Sequence, residues 1–534
     1  MAPERAAIVS DGQPADVSPA QQIAAGYATS GAAIELGAVS VDGVVDASAT
    51  VRIALSMMNR HGLIAGATGT GKTKTLQVIA EQLSANGVPV VMADVKGDLS
   101  GLAVPGEPSE RTTARAKDTG VDWVGTGYPC EFVSVGTEGV GVPVRATVTS
   151  FGPILLSKVL GLNATQESTL GLIFHWADAQ GLALLDLKDL RSVIAHLTSD
   201  EGKTDLKSIG GVSSATAGVI LRALTNLEAD GGDTFFGEPE IEPADLIRSA
   251  DDGRGIITLF ELGDQATRPA LFSTFLMWIL ADLFEYLPEI GDADKPKLVF
   301  IFDEAHLLFA DASKAFKEQV VQTVKLIRSK GVGVYFCSQL PTDIPNDVLS
   351  QLGARIQHAL RAFTPDDQKA LTKTVKTYPT SAVYDIEKAL TSLGTGEAIV
   401  TVLSENGAPT PVAWTVMHPP RSLMASIGND AITAQATASA LQDKYGQTID
   451  RESAYEILAA KVAAAHDDES APDAAAPTTP PTEAPHRATR AEPKEKSLAE
   501  EILGNAAVKS FMRSAGNSLG REISRSLFGT GRRR

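Results

Sequence analysis

Apolar runs of strand length recur through the middle of the chain and alternate with longer stretches of helical periodicity. GLIAG (62–66), VPVVMAD (88–94), GIITLF (255–260), KLVFIFD (297–303), VGVYFCS (332–338) and GEAIVTVL (396–403) are the clearest strand candidates. Such alternation over residues 59–425 predicts an α/β fold, a core built on a mainly parallel sheet. Before it, within 1–58, IELGAVSV and VRIALSMM flank Gly43 and predict a small N-terminal β element. Between the second and third strand candidates the interval 99–254 is too long for a simple crossover and reads as an insertion. Helical patterning at 151–161, 164–180, 186–198 and 212–229 makes its second half a helical lobe. A helical extension is expected over 426–466.

From 467 to 496 the chain turns to Pro, Ala, Thr and charge, a composition that buries too little apolar surface to order itself and reads as a linker. Residues 497–534 then place Leu498, Ile502, Phe511, Leu519, Ile523 and Leu527 opposite Lys509, Arg513, Arg521 and Arg525, predicting a basic amphipathic C-terminal helix. A protein partner, DNA or an anionic membrane surface would suit it, as would packing on its own oligomer.

Composition narrows the class. A chain of 534 residues exceeds one ordinary hydrophobic core, and 43% hydrophobic with 21% charged residues is globular rather than disordered. The net charge of −18 argues against a broadly basic nucleic-acid coat but leaves room for local basic surfaces. Two cysteines, Cys130 and Cys337, support neither a disulfide framework nor a metal cluster, so a reducing cytoplasm is expected. No apolar stretch is long and uninterrupted enough to predict a transmembrane segment or a secretory leader.

The chemistry concentrates in two motifs. Gly66-Ala67-Thr68-Gly69-Thr70-Gly71-Lys72-Thr73 fits the phosphate-binding loop pattern, with a strand before it and a helix after it. Its glycines allow backbone N–H groups to wrap phosphate oxygens, Lys72 reaches the β- and γ-phosphates of ATP, and Thr73 offers a hydroxyl to Mg²⁺. Asp303 and Glu304 close the apolar strand KLVFIFD, where Asp303 is expected to hold Mg²⁺ and Glu304 to activate the attacking water. Gln339, after VGVYFCS, is a candidate γ-phosphate sensor, with Ser338 a weaker one. Arg328, Arg355 and Arg361 are candidate arginine fingers acting across a subunit boundary, although each also reads as a solvated or ion-paired surface residue. Asp94, Lys96, Gly97 and Asp98 suit either a tight turn or a contact with Mg²⁺, its waters or a neighbouring subunit.

These residues resemble the HerA/FtsK division of P-loop ATPases, and within it the HerA-like proteins of the YjgR type. NRHGLIAGATGTGKT (59–73), VVMADVKGDLSG (90–101), KLVFIFDEAHLLF (297–309), IRSKGVGVYFCSQLPTDIPNDVLSQLGARIQHALRAFTPDDQKA (327–370) and LGTGEAIVTVL (393–403) are similar to that pattern and follow its order. The resemblance implies a RecA-like core, homo-oligomeric rings, commonly hexameric, with ATP at subunit boundaries, and movement along double-stranded DNA. Two departures stand out: the N-terminal segment is short for a full β-barrel, and Leu340 follows Gln339 where translocases usually carry arginine. The leading expectation is an ATP-hydrolysing motor, and the alternative is an ATP-gated scaffold or switch that does not act on nucleic acid.

Overall fold

The computed structural model describes residues 17–94, 97–137, 139–200, 202–204, 210–229, 231–261, 269–291, 293–310 and 312–469. The expected C-terminal helix and all but the first three residues of the expected linker lie outside them. Among the described residues, twelve strands form one sheet. They are β1 (Ala33–Val41), β2 (Val44–Ala54), β3 (Gly62–Ala65), β4 (Val90–Asp94), β5 (Cys130–Val135), β6 (Val142–Val144), β7 (Ile257–Glu261), β8 (Leu298–Phe302), β9 (Val332–Ser338), β10 (Ala354–Gln357), β11 (Glu397–Thr401) and β12 (Ala413–Met417).

Their spatial order is β2-β1-β12-β11-β10-β3-β9-β8-β4-β7-β5-β6. From β10 to β6 every neighbouring pair is parallel. From β2 to β10 every pair is antiparallel. The fold is therefore a mixed α/β, RecA-like core with a mainly parallel sheet. All six strand candidates are strands, with boundaries shifted by at most two residues. Four strands had not been anticipated, because CEFVSV, VPV, ARIQ and AWTVM are short or carry polar residues and proline. The N-terminal β element is a hairpin, β1–β2, that joins the main sheet through β12.

Both faces of the parallel part are covered, which explains why its strands read as unbroken apolar runs. Val299, Ile301, Tyr335 and Cys337 share a buried cluster with Ile64, Leu76, Ile79 and Leu83, so the helix Lys72–Ala85 lies on that face. Side chains alternate along a strand. On the other face Phe300, Phe302 and Phe336 therefore form a ring stack, with centroids 4.7 and 5.4 Å apart.

The chain divides into two compact units. One joins Met1–Ala146 to Glu238–Ile449 and contains the whole sheet. The other joins Thr147–Gly237 to Asp450–Arg534, and its described part contains the helices Val148–Val159, Ala164–Ala179, Leu187–Thr198, Ser214–Ala229 and Ala454–Glu469. Of the interval 99–254, residues 147–237 fall in the helical unit, whereas β5 and β6 lie in the sheet. In the helical unit, buried Asp189 accepts hydrogen bonds from Leu185 N, Asp186 N, Ser453 Oγ and Tyr455 N. That ties the 450s segment to the helix Leu187–Thr198.

Candidate active site

Buried β3 leaves the sheet at Gly66, and the helix Lys72–Ala85 begins at Gly71. Between them the chain must turn back over its own strand end, and φ is +154° at Gly66, +78° at Gly69 and +113° at Gly71. At Gly66 there is also no room for a side chain, and at Gly71 the fit would be tight. A Cβ on Gly66 would sit 2.6 Å from His358 Cβ, and one on Gly71 would sit 3.1 Å from Gly396 Cα.

The loop is held from below and leaves its donors facing outward. Gly66 N donates to Ser338 O, Ala67 N to Ala359 O and Gly396 N to Thr70 O. Among the described residues, the N–H groups of Thr68, Gly69, Gly71, Lys72 and Thr73 have no backbone or side-chain acceptor. A run of such donors at a helix N-terminus is an anion-binding nest. Lys72 Nζ donates to Gly66 O at 2.7 Å and Ala67 O at 3.3 Å, which folds the ammonium over the same loop.

Asp303 and Glu304 emerge from β8, and Gln339 follows β9, at the edge where Gly66 follows β3. Since β9 pairs with β3 on one side and β8 on the other, the three strand ends are neighbours. Two strand spacings put the β3 and β8 ends ~10 Å apart. The buried Cys337 thiol lies between them and is pushed well up by burial and by Asp303, while Lys72 acts in the opposite direction. One thiol thus feels the loop lysine and the strand-end carboxylate together. Ala305 N donates to Cys337 O at 2.8 Å, and Glu304 N donates to Asp303 Oδ1 at 2.9 Å.

Glu304 has φ +47°, a left-handed conformation that costs a non-glycine residue about 1 kcal/mol or more. Its Oε2 lies 3.3 Å from His306 Nδ1. Gln339 is exposed. Ser338 Oγ instead donates to Asp343 Oδ2 at 2.6 Å, which anchors the loop after β9.

Asp94 ends β4, and its carboxylate accepts from Asp98 N and Leu99 N at 3.1 and 2.7 Å, an arrangement that builds the tight turn. Lys96 lies outside the described residues. Arg328 and Arg355 sit at the opposite edge of the sheet, near the starts of β9 and β10 and away from Lys72 of the same chain. Arg361 is exposed beyond the end of β10.

Several residues here were not singled out from sequence. Buried His358 accepts at Nε2 from Thr75 Oγ1 at 2.9 Å and donates from Nδ1 to Glu397 O at 2.8 Å. Burial lowers its pKa to about 4, so the imidazole under the loop is neutral. Arg115 donates to the carbonyls of Thr395 and Gly396, bracing the loop that supports Gly71. Glu261, paired with Asp94 across β4 and β7, is raised to about 8 by burial and by Asp94. Only the strand-end position of Glu261 could have flagged any of them.

A parallel sheet in the RecA-like order, with a donor-lined glycine loop and a carboxylate pair on strand ends flanking a third, defines a P-loop ATPase. The Helicase HerA-like C-terminal family model matches residues 41–534, and the chain belongs to that family. It is a HerA/FtsK-type ATPase. It is 21% identical over 366 residues to the DNA double-strand break repair helicase HerA of Saccharolobus solfataricus, covering 68% of this chain and 66% of that protein. The matched stretch therefore spans slightly under two thirds of this relative. A probable helicase of Methanocaldococcus jannaschii, MJECL08, is 34% identical over 125 residues, covering 23% of this chain and 22% of the relative. Among solved structures, the plasmid coupling protein TrwB in complex with ADP and Mg²⁺ aligns with TM-score 0.48 at 13% identity, covering 75% of this chain and 98% of that one. VirB4 of Thermoanaerobacter pseudethanolicus aligns with TM-score 0.41 at 14% identity, covering 72% and 97%. Among the described residues, no helix is long and apolar enough to cross a membrane.

Proposed function

We propose that Gly66–Thr73 binds the phosphates of ATP and that Glu304 activates water for attack on the γ-phosphate, in a homo-oligomeric ring that moves along double-stranded DNA. The observation that carries this reading is the strand order, in which β9 alone separates β3 from β8, so that the glycine loop and the Asp303–Glu304 pair leave the same sheet edge on closely spaced strand ends. The free N–H nest fits a polyphosphate, and a hydroxyl and a carboxylate, Thr73 and Asp303, fit a hard divalent cation with oxygen ligands. Mg²⁺ held there would supply charge neutralisation at the β- and γ-phosphates.

The chain's own groups do the rest. The nest N–H groups and Lys72 fix the phosphates and stabilise charge as it develops on them. The strained backbone of Glu304 aims its carboxylate from the end of β8, where it accepts the proton of the attacking water. Gln339 reads the γ-phosphate through its side-chain amide. Arg328, Arg355 and Arg361 are the candidates for a finger that reaches a neighbouring subunit's phosphate, and the far-edge position of Arg328 and Arg355 supports a role away from their own Lys72; such a residue contributes about 10³ in rate.

ATP turnover with and without duplex DNA, measured with Mg²⁺ on a sample sized by light scattering, tests the reading. Stimulation by duplex at low salt is expected, since phosphate contacts are strongest there. An oligomer that hydrolyses ATP yet neither binds DNA nor responds to it would shift the reading to an ATP-gated scaffold, which the acidic net charge would favour.

A further inference from the structure

The strand order fixes which way a nucleotide lies across the glycine loop. On one side of β3, past β9, stand Asp303 and Glu304, and on the other side β10 pairs directly with β3, with Gln357 opposite Ala65. Like charges keep a triphosphate extended. One that turns its γ-phosphate toward the carboxylates therefore directs its α-phosphate, ribose and base toward the end of β10.

The segment that follows β10 runs alongside the loop. Ala67 N donates to Ala359 O at 2.9 Å, and His358 N donates to Ala65 O at 2.7 Å. Phe363 stands four residues beyond Ala359, so at most ~14 Å of chain separates it from that hydrogen bond, within reach of the base end of a nucleotide. Its side chain is 85% exposed, and among the described residues no large apolar side chain is more so.

This exposure is not that of slack chain. On one side Leu360 is buried, and its N–H donates to Leu390 O at 2.8 Å. On the other side Asp367 Oδ2 accepts from Phe363 N and Thr364 N at 3.1 and 2.9 Å, Thr364 Oγ1 accepts from Asp367 N, and Pro365 opens the helix Pro365–Val375. The backbone is pinned before and after Phe363, so the ring is held out in water by a built support. A ring fixed in this way has little freedom left to lose when a ligand stacks on it. Asp366 and Asp367 stand in the first turn of the same helix, which disfavours a phosphate there and suits a flat, uncharged group.

We infer that Phe363 is the platform on which the base of the bound nucleotide stacks. The inference rests on the reading of Gly66–Thr73 as the phosphate site, and it names the residue that holds the other end of the ligand. An aromatic face accepts any base and reads none of its edge groups. Phe363 thus sets the affinity and orientation of the nucleotide, not the choice among bases.

The test is calorimetric titration of the full-length chain, in Mg²⁺, with two ligands: the non-hydrolysable ATP analogue AMP-PNP, which carries a base, and inorganic tripolyphosphate, which does not. Phe363→Ala is expected to weaken AMP-PNP about tenfold and to leave tripolyphosphate unchanged. Phe363→Trp, which keeps a ring face, should restore AMP-PNP binding, whereas Lys72→Ala should weaken both ligands. Because so little of Phe363 is buried, Phe363→Ala should match the intact chain in melting temperature and in mass by light scattering. Val44→Ala, at another strongly exposed apolar position, should alter neither ligand. Equal weakening of both ligands by Phe363→Ala, no weakening of AMP-PNP, failure of Phe363→Trp to restore it, or a smaller assembly, which would make the ring a subunit contact, would each overturn the inference while the intact chain still binds tripolyphosphate. An intact chain that binds neither ligand would instead remove the phosphate site itself, and the inference with it.

Discussion

Glu304 is where residue-scale chemistry is most exposed to test. Its backbone is held left-handed, and its carboxylate, rather than its bulk, is what the proposed mechanism needs. Glu304→Gln should therefore keep nucleotide binding while lowering turnover by about 10² or more, as measured by steady-state hydrolysis beside fluorescent-nucleotide binding. Glu261 makes a second case at this scale. Its carboxyl titrates at about 8 in the folded chain against 4.5 when unperturbed. Because the folded pKa is raised, the contribution to stability is complete below 4.5 and is lost as pH rises through 8, at roughly 1.4 kcal/mol per pH unit. Glu261→Gln should flatten that slope, making the variant the more stable chain at pH 8–9 but not at pH 5, by urea unfolding across pH. Both sites show what single letters reveal. A carboxylate pair ending an apolar strand announced itself in KLVFIFD, whereas the perturbation of Glu261 comes from Asp94 across a strand pairing 167 positions away, a separation no local pattern encodes.

At the scale of elements, the helix Lys72–Ala85 is the part on which the site depends. Its first turn is locked by Thr75 to His358 and its middle by Glu81, whose buried carboxylate accepts from Arg421 N, Ser422 N and Ser422 Oγ. Glu81→Ala strands two backbone donors that water reaches poorly. It should cost about 2–4 kcal/mol in chemical denaturation, more than Glu387→Ala at an exposed position on another helix. Apolar runs with flanking glycines were enough to locate β3, β4, β7, β8, β9 and β11, because strands covered on both faces must be hydrophobic throughout. β10 escaped notice although it borders β3, since its four residues, ARIQ, carry an arginine and a glutamine.

For the molecule as a whole, three buried histidines set a common response to acid. His61, His358 and His418 are each lowered to about 4 by burial. Their folded pKa values lie below the unfolded 6.5, so their contribution is complete above 6.5 and is lost as pH falls toward 4. Stability is expected to drop steeply across that window, and His358→Gln should soften the drop if the folded loop is otherwise intact, as followed by thermal melts between pH 4 and 7. The basic segment 497–534 belongs to this scale too. A chain truncated before Ser497 should hydrolyse ATP like the full chain yet lose any retention on anionic liposomes or DNA that the segment provides, measured by co-sedimentation.

By itself the sequence determined the glycine loop, the carboxylate pair and the α/β alternation, because each is written in residues adjacent along the chain and each depends on local backbone freedom or unbroken apolar burial. Tertiary structure alone decided that β9 stands between β3 and β8, that His358 and Gly396 press up beneath the loop, and that Arg328 and Arg355 gather with Arg60 at the far edge. Those juxtapositions are products of strand order and packing, which bring together residues up to several hundred positions apart.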